Sequence, residues 1–512
     1  MRPLNTVGAG IVRAGMPRVI DFVRRHAPAV TLTFTLALAA ALRFPTLGTQ
    51  SLWTDEGNTV AWLHGSFAHM VSAVANNESS PPLYFCLAWL WAKIFGDWIV
   101  ALRALSAVLG CLTVAVAFRG ALRFWSLRVA AILGLLMATS ATMIWYSQEA
   151  RQYALLLLLC TLSLVLWARV VVLRESAPLI WWALVSGLAL ATHYFAGFIV
   201  APEALVLLVR ARRTRGAVVA AATFAAFAAA LVPFALYQRS TTNVSWIAGA
   251  GSLATRLRAT EGLLLVNGGA GISHAWWLGR LFVLAAVALV VWRGTRAERR
   301  AVAAALTLAV SVVVLALAAA VAGFDYLIPR HLVLVELPLL VAVAVALGSA
   351  RAGRIGLAVA AAGAALGIAV TLSVNAGIAY QREDVRDAVR YLHTPSAARL
   401  VILQRPDDHL LANRGLPAFQ YYVPSLRFMS GAAAVDQIVV IDENVSAADL
   451  HATLVRLTHL GFRLTGAARR QVFTTYELTA SHPTRLTRDQ LRRAGRFART
   501  APVLLVQRPA QT

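Results

Sequence analysis

The sequence has few charged residues and almost no lysine. Charged side chains make up 14% of the 512 residues, whereas soluble domains average about 25%. Lys93 is the single lysine among 47 basic residues, which in an alanine-rich chain indicates genomic base bias. Hydrophobic residues make up 59% of the chain, and its mean hydropathy is +0.68. This composition excludes an ordinary soluble domain and indicates a polytopic membrane protein.

Cysteine is also scarce. Cys86, Cys111 and Cys160 lie in apolar runs without a C-x-x-C spacing. The sequence therefore predicts neither a disulfide framework nor a thiolate zinc site. The net charge of +24 does not indicate nucleic-acid binding, because the arginines fall in short clusters between apolar runs, where positive charge sets membrane topology.

Eleven apolar runs predict transmembrane helices, since about 20 apolar residues are needed to cross a bilayer. The runs lie at 27–44, 98–118, 128–145, 152–173, 179–193, 194–210, 216–237, 276–292, 301–321, 332–348 and 355–373. Residues 1–26 are basic and precede many spans, so we expect an uncleaved first helix with a cytoplasmic N-terminus.

The arginine clusters between these runs predict the topology. They are Arg119/Arg123/Arg128, Arg169/Arg174, Arg210/Arg212/Arg213/Arg215, Arg293/Arg296/Arg299/Arg300 and Arg351/Arg354. With the N-terminus inside, eleven spans place every cluster in the cytoplasm, as the positive-inside rule requires. The same parity places the loop 45–97, the turn 146–151, the loop 238–275, the segment 323–331 and the C-terminus outside.

The first outer loop, 45–97, is predicted to be helical. Apolar residues at 59–74 recur at helical spacing, which indicates one amphipathic helix along the membrane surface. The stretch 81–93 is apolar but short, and counting it as a span would place the arginine-rich turn 119–128 outside. We therefore predict a juxtamembrane or re-entrant helix there, with tryptophans at interface depth.

After about residue 376 the composition is that of a soluble domain. Helical patterns cover 383–392 and 446–460, and strand patterns cover 399–404, 437–442, 472–478 and 501–507. The prediction is an all-α membrane domain at 27–375 followed by a small α/β domain at 376–512 on the outer face. The basic tail 482–499 is expected to be solvated or to face lipid headgroups, with no nucleic-acid partner.

Polar residues from five separate loops or helix ends are predicted to meet on the outer side. They are Asp55, Glu56, Glu78, Glu149, Arg151, His193, Asp325, Arg330 and His331. Taken singly, each has a simpler explanation: helix capping, an interfacial ion pair, an aromatic anchor or a snorkelling arginine. Together they indicate a cavity or a substrate path, because polar groups are costly near lipid.

Four short motifs occur together in this sequence. An Asp-Glu pair opens the outer loop, followed by Pro-Pro-Leu-Tyr at 81–84, Tyr-Ser-Gln-Glu-Ala-Arg-Gln-Tyr-Ala-Leu at 146–155 and Thr-His-Tyr-Phe at 192–195. In this combination, residues 27–350 resemble the membrane glycosyltransferases of the GT-C fold. They are most similar to the family of protein O-mannosyltransferases (dolichyl-phosphate-mannose-protein mannosyltransferase-like) and aminoarabinose lipid A transferases.

The resemblance implies an enzyme of the bacterial inner membrane. It would transfer a pentose or hexose from a polyprenyl-phosphate carrier to a hydroxyl of a lipid, glycan or protein on the outer face. In that family the acid of the first outer loop is the catalytic base, and the matching position is Asp55, with Glu56 beside it. This sequence departs from the pattern at Ser80, where histidine commonly precedes Pro-Pro-Leu, so a contact through that side chain is not carried over.

One carboxylate suffices for this chemistry. A glycosidase needs two because its leaving group must be protonated, whereas a phosphate leaves as a stable anion. Asp55 would accept the proton of the acceptor hydroxyl. Three roles stay open for Glu56: orienting the acceptor, acting on Asp55 as a neighbouring like charge, or capping the helix.

Cations are expected to hold the donor phosphate, since a guanidinium offers it two parallel hydrogen bonds. The candidates are Arg151, Arg330, Lys93 and Arg103. The remaining candidate site residues are Glu78, Tyr84, Glu149, His193, Tyr194, Glu203, Tyr326 and His331; Glu203 is included because a helix break at Pro202 would let it face the cavity. No cofactor is required. A divalent metal on His193 with a nearby carboxylate is a weaker alternative, because no ligand spacing supports it.

Two other functions fit the same polar groups. A transporter or flippase of lipid-linked sugars would also need an outer cavity, but transporters more often show paired halves with broken spans near the midplane. The sequence has no repeat between its halves. A catalytically dead membrane scaffold is the third alternative, for which the joint motifs would be a coincidence.

Overall fold

A computed structural model of the chain describes residues 8–508, except for 212–214, 243–246, 248–250, 269–270, 391, 393–394, 396–397, 405–415, 444–446, 470–472 and 495–502. It confirms the predicted fold class, a helical membrane domain followed by a small sheet domain. The boundaries at residues 26 and 375 stay predictions.

The first part of the chain is helical throughout. Its helices are α1 Gly8–Arg43, α2 Thr54–His64, α3 Phe67–Asn77, α4 Leu83–Phe95, α5 Ile99–Phe124, α6 Leu127–Thr139, α7 Ala141–Ser147, α8 Tyr153–Leu173, α9 Pro178–Thr192, α10 Gly197–Ala211, α11 Arg215–Thr241, α12 Leu253–Val266, α13 Ala275–Arg293, α14 Arg296–Val321, α15 Glu336–Gly348 and α16 Gly353–Ala376. Short 3-10 turns at Tyr194–Ala196, Pro329–Val335, Ala350–Ala352 and Ile378–Tyr380 join some of them.

Fewer helices are long enough to cross a membrane than the eleven predicted. Within the described residues, 8 helices qualify by length and composition, or 9 if the pair α6 and α7, bent by 59°, is one span. The predicted spans 179–193 and 194–210 correspond to α9 and α10, which have 15 residues each, or about 22 Å at 1.5 Å per residue. Both are short because the chain leaves the helix at His193, whose φ of −159° is extended.

The loop 45–97, which the sequence predicts to be the first outer loop, has three helices. The single helix predicted for 59–74 is wrong, since α2 ends at His64 and α3 begins at Phe67. The reason is local: the Ser66 side chain accepts a hydrogen bond from the His69 N–H at 3.2 Å and so starts a new helix. The short helix predicted for 81–93 is confirmed as α4.

The C-terminal part contains a six-stranded sheet. Its elements are α17 Val385–Ala388, β1 Arg399–Gln404, α18 Leu416–Tyr422, β2 Leu426–Phe428, β3 Ala432–Glu443, α19 Ala447–His459, β4 Arg463–Arg469, β5 Phe473–Thr487, α20 Arg488–Ala494 and β6 Val503–Gln507. The strand order is β2-β6-β1-β3-β5-β4, with only β1 and β3 parallel among these described strands.

The sequence predicted most of these elements. Strand 399–404 is β1, while 437–442 is part of the longer β3. Residue 472, residue 446 and residues 501–502 of the other predicted elements lie outside the described residues, as do residues 1–7, Arg212, Arg213 and the tail 495–499. The helix predicted for 383–392 is wrong in extent, since of its described residues only Val385–Ala388 are α-helical.

One face of this sheet joins the core of the membrane domain. Successive strand residues point to opposite faces, and Val401 and Leu403 belong to the same buried cluster as Leu52. Leu400 and Ile402 instead pack in a separate core with residues of α19 such as Leu457. The buried core of the membrane domain therefore continues into this face of the sheet.

Candidate functional site

A partly open cleft with a cavity volume of about 80 Å³ lies where the loop 45–97 meets the neighbouring ends of the membrane helices. The predicted site residues in its lining are Asp55, Glu78, Arg151, His193, Tyr326, Arg330 and His331. They come from five chain segments, which the tertiary fold brings to one place.

Asp55 faces Arg330 across the cleft. Arg330 Nη1 donates to Asp55 Oδ2 at 3.0 Å, and the two side chains are 26% and 25% exposed. The Arg330 guanidinium also lies over the Trp53 ring, with 5.7 Å between Cζ and the ring centroid. Arg330 therefore points into the cleft instead of snorkelling along the lipid surface. Asp55 is in the first turn of α2, whose N-cap is Trp53, so the predicted cap by Thr54 or Asp55 is not observed.

A second ion pair lies beside the first. Arg151 Nη2 donates to Glu78 Oε2 at 2.5 Å, and Arg151 is nearly buried. Burial lowers the pKa of the Arg151 guanidinium, but the carboxylates of Glu78 and Asp55 outweigh burial and raise it above its usual range. The cleft thus contains two guanidinium groups and two carboxylates that neutralise one another.

Glu56 lies away from the cleft, although it adjoins Asp55 in sequence. It is 0% exposed and accepts two hydrogen bonds from Arg103, from Nε at 2.8 Å and from Nη2 at 2.5 Å, and a third from the Ala150 N–H at 2.9 Å. Burial raises the pKa of Glu56, but Arg103 outweighs it and the net shift is downward. The side chains of Glu56 and Arg103 thus form a buried structural ion pair.

Aromatic and histidine side chains form one wall of the cleft. The His193 ring centroid lies 5.3 Å from that of His331 and 5.9 Å from that of Tyr153. His331 Nδ1 lies 2.6 Å from the Tyr326 carbonyl oxygen. Burial, with the cations Arg151 and Arg330 nearby, lowers the pKa of His193 well below its usual range. A neutral, mostly apolar wall therefore faces the charged pairs.

The other candidates lie outside the lining of this cleft. Lys93 is exposed on α4, with Nζ 4.8 Å from the Trp89 ring centroid. Tyr84 is buried and its hydroxyl lies 3.4 Å from Ser106 Oγ, while the Tyr194 hydroxyl donates to Gln238 at 2.8 Å.

Two predicted acids, Glu203 and Asp325, also have partners elsewhere. Glu203 accepts hydrogen bonds from Ser163 at 2.9 Å and from the Trp182 indole at 2.7 Å, so it joins three neighbouring helices. Asp325 accepts two hydrogen bonds of 2.8 Å from Arg256. Neither acid reaches the cleft.

Glu149 has a partner that the sequence did not suggest. Arg382, from the segment after α16, donates to Glu149 Oε2 at 3.3 Å, and both residues are buried. Burial raises the pKa of Glu149, while Arg382 acts in the opposite direction. No local pattern relates two residues so far apart in the chain.

Several lining residues were missed by sequence reasoning. They include Asn58, Trp62, Asn77, Ser79, Gln152, Tyr153 and Phe195. Helical spacing could have found two of them, since Asn58 and Trp62 lie three and seven positions after Asp55 on α2. Gln152 and Tyr153 belong to the motif at 146–155.

The described residues contain no group of three or more His, Cys, Asp or Glu side chains placed to hold a metal ion. His193 instead has ring neighbours and accepts from the Phe195 N–H at 3.2 Å through Nδ1. The site chemistry that these residues can support is binding of an anion by the two arginines and proton transfer at a carboxylate.

Comparisons with known proteins bear on the fold and on part of the sequence. Residues 79–237 match the dolichyl-phosphate-mannose-protein mannosyltransferase family, while a search of curated proteins found no significant match. The crystal structure of ArnT from Cupriavidus metallidurans in the apo state is similar, with a TM-score of 0.54 and 13% identity over 88% of this chain and 98% of that chain. ArnT bound to undecaprenyl phosphate has a TM-score of 0.53 and 14% identity with the same coverage. The chain therefore has the GT-C fold of membrane glycosyltransferases, as its motifs predicted, and part of it matches the mannosyltransferase family.

Proposed function

We propose that this chain is an inverting glycosyltransferase that moves a sugar from a polyprenyl-phosphate carrier to an acceptor hydroxyl at the outer face of the membrane. The family match at 79–237 and the shared fold support an enzyme with a polyprenyl-phosphate-linked donor. One of the two similar ArnT structures is bound to undecaprenyl phosphate. Undecaprenyl phosphate is therefore the probe of choice for this site.

The observation that carries the proposal is the pairing of Asp55 with Arg330 beside the pair of Glu78 with Arg151. A guanidinium that binds a carboxylate in the cleft is suited to bind a phosphate of similar geometry. Donor phosphate would compete with Asp55 for Arg330. Its arrival would free the carboxylate at the place where the reacting carbon lies.

Asp55 is proposed as the general base. The acceptor oxygen attacks the anomeric carbon and its proton passes to the Asp55 carboxylate. The bond between the anomeric carbon and the phosphate oxygen breaks, and its electron pair leaves with the phosphate. Arg330 and Arg151 stabilise the charge that develops on that group. Attack opposite the leaving phosphate inverts the configuration at carbon.

Glu56 is proposed to have a structural role and no direct part in the reaction. Its pair with Arg103 fixes the start of α2 against α5, which holds the neighbouring Asp55 in place. The histidine and aromatic wall is proposed to exclude water from the reacting carbon. The acceptor, which could be a lipid, glycan or protein hydroxyl, would enter from the side of the sheet domain.

A transfer assay tests the proposal. The full chain in lipid nanodiscs is given undecaprenyl phosphate carrying a tritiated hexose or pentose, with cell-envelope lipids and glycans as acceptors. Asp55→Asn should abolish transfer yet bind undecaprenyl phosphate at least as tightly as wild type, because the neutral amide no longer competes for Arg330. A fully active Asp55→Asn would refute the role of Asp55. In sealed proteoliposomes, movement of the intact lipid-linked sugar from one leaflet to the other without cleavage would instead identify a flippase.

A further inference from the structure

Residues 49–57, which lead into α2 and form its first turn, are held by residues far downstream. The Leu52 N–H donates to the Tyr422 hydroxyl at 2.8 Å. The Arg386 N–H donates to Ser51 Oγ at 3.0 Å. These contacts tie the segment before α2 to α17 and α18, which lie beyond the last membrane span.

The first turn of α2 also forms a hydrogen bond with a residue far downstream in the chain. Thr54 Oγ1 donates to Glu383 Oε2 at 2.8 Å, and Thr54 is 6% exposed. The N-cap residue, Trp53, makes no capping hydrogen bond through its side chain. Glu383 therefore restrains the residue that immediately precedes Asp55.

Helix packing reinforces this restraint. A Cβ added at Gly57 would lie 2.6 Å from both the backbone N and the Cα of Ala418 on α18. Real Cβ atoms do not approach backbone so closely, so α2 and α18 touch through their main chains. Such a contact leaves α2 little freedom to shift relative to α18.

The residue before Glu383 holds the other side of the cleft. Arg382 Nη2 donates to Glu149 Oε2 at 3.3 Å and to the Trp145 carbonyl at 3.0 Å. Glu149 belongs to the tight turn that carries Arg151, where the Arg151 N–H donates to the Glu149 carbonyl at 2.8 Å. One dipeptide thus contacts both the segment with Asp55 and the segment with Arg151.

We propose that Arg382 and Glu383 are positioning residues that set the placement of Asp55 relative to Arg151 across the cleft. The inference rests on the proposed function, since it concerns the base and the phosphate-binding cation of that reaction. Misplacement of a reacting group by about 1 Å can cost about a hundredfold in rate. The segment after the last span therefore takes part in assembling the catalytic site.

The test compares two threonine-to-valine variants that each remove one buried hydroxyl. Thr54→Val loses the bond to Glu383, and Thr453→Val loses a bond of 2.8 Å from Gln404 within the sheet domain. Each is measured in the nanodisc assay, with kcat normalised to sites that bind undecaprenyl phosphate. Thr54→Val should lower kcat about tenfold or more and leave the Kd of undecaprenyl phosphate within about twofold. Thr54→Ser should restore kcat, and Thr453→Val should keep it.

Glu383→Ala provides a second route if Thr54→Val fails to fold. It should lower kcat to a similar extent, and the double variant should be no worse than either single variant, because both remove the hydrogen bond between Thr54 and Glu383. Fully additive losses, or equal losses for Thr54→Val and Thr453→Val, would overturn the inference.

Asp55→Asn in the same assay separates the two proposals. If Asp55→Asn is inactive while Thr54→Val and Glu383→Ala have wild-type kcat, the positioning inference fails and the proposed function stands. If Asp55→Asn is fully active, the proposed function fails and the inference fails with it.

Discussion

At the scale of single residues, adjacent acids have different environments. Asp55 is a quarter exposed and pairs with Arg330 in the cleft, while Glu56 is fully buried against Arg103. One residue along a helix turns a side chain by about 100°, so one acid faces the cleft and the other the protein interior. From the sequence alone, both Asp55 and Glu56 were catalytic candidates.

The cation proposed to hold the donor phosphate can be tested directly. Arg330→Ala should weaken binding of undecaprenyl phosphate about tenfold or more, because a charge-assisted hydrogen bond contributes about 1.5–3 kcal/mol. Arg280→Ala is the matched control, since Arg280 pairs with Glu261 outside the lining of the cleft. Affinity measured in nanodiscs by titration gives the answer. Equal affinity in wild type and Arg330→Ala would contradict the assignment.

Glu56 should matter for stability. Glu56→Ala leaves Arg103 buried without its carboxylate, which typically costs about 3–5 kcal/mol, so the thermal unfolding temperature should fall strongly. Glu261→Ala removes a pair whose side chains are 35% and 39% exposed, and its effect should stay within about 1 kcal/mol. Differential scanning fluorimetry in detergent compares the two. A Glu56→Ala protein as stable as wild type would show that the buried pair is not structural.

At the scale of elements, a membrane helix can bend where polar side chains form hydrogen bonds with backbone groups that have lost their helical partners. The predicted span 128–145 is bent at Ser140, whose side chain accepts from the Met143 N–H at 3.1 Å and starts α7. Arg43 donates to the carbonyls of Met137 and Ala138 at the end of α6, at 3.1 and 2.9 Å. The bend is thus stabilised by side chains that replace lost helical hydrogen bonds.

The packing of α2 on α18 leads to a prediction about glycine. Gly57→Ala would place a methyl group against the Ala418 backbone and should reduce both stability and transfer, because the two helices would have to move apart to accommodate it. Gly262→Ala on α12 is the matched control, since a Cβ there would have nothing within 4 Å. Alanine also favours a helix over glycine by about 1 kcal/mol. Unfolding temperature and transfer rate are compared; a neutral Gly57→Ala would contradict the close contact.

At the scale of the whole molecule, the arginine clusters predict that the N-terminus is cytoplasmic and the sheet domain extracytoplasmic. The sheet packs against the same core as the segment before α2, so the site and the sheet domain should lie on one side of the membrane.

Cysteine labelling tests this topology. The three native cysteines are replaced by alanine, and one cysteine is introduced at Ser481 or Arg296, both exposed. A membrane-impermeant maleimide should label the Ser481→Cys protein in intact spheroplasts and the Arg296→Cys protein only after permeabilisation. The reverse pattern would invert the topology and place the proposed reaction in the cytoplasm.

The sequence by itself determined the class of the protein, the positions of most helices and strands, and Asp55 as the candidate base. Hydropathy, capping residues and short motifs are local properties, and local properties can be read along a chain. It overestimated the number of long spans, because the breaks at His193 and Ser140 do not interrupt the apolar pattern. It also left three roles open for Glu56, which the structure places in a buried pair with Arg103.

Only the tertiary structure decided which polar side chains pair with one another. The bonds from Arg103 to Glu56, from Arg382 to Glu149 and from Thr54 to Glu383 join residues that lie 47, 233 and 329 positions apart. No local pattern specifies such pairs. Their geometry depends on how helices pack and on which polar groups are left to satisfy one another once water is excluded.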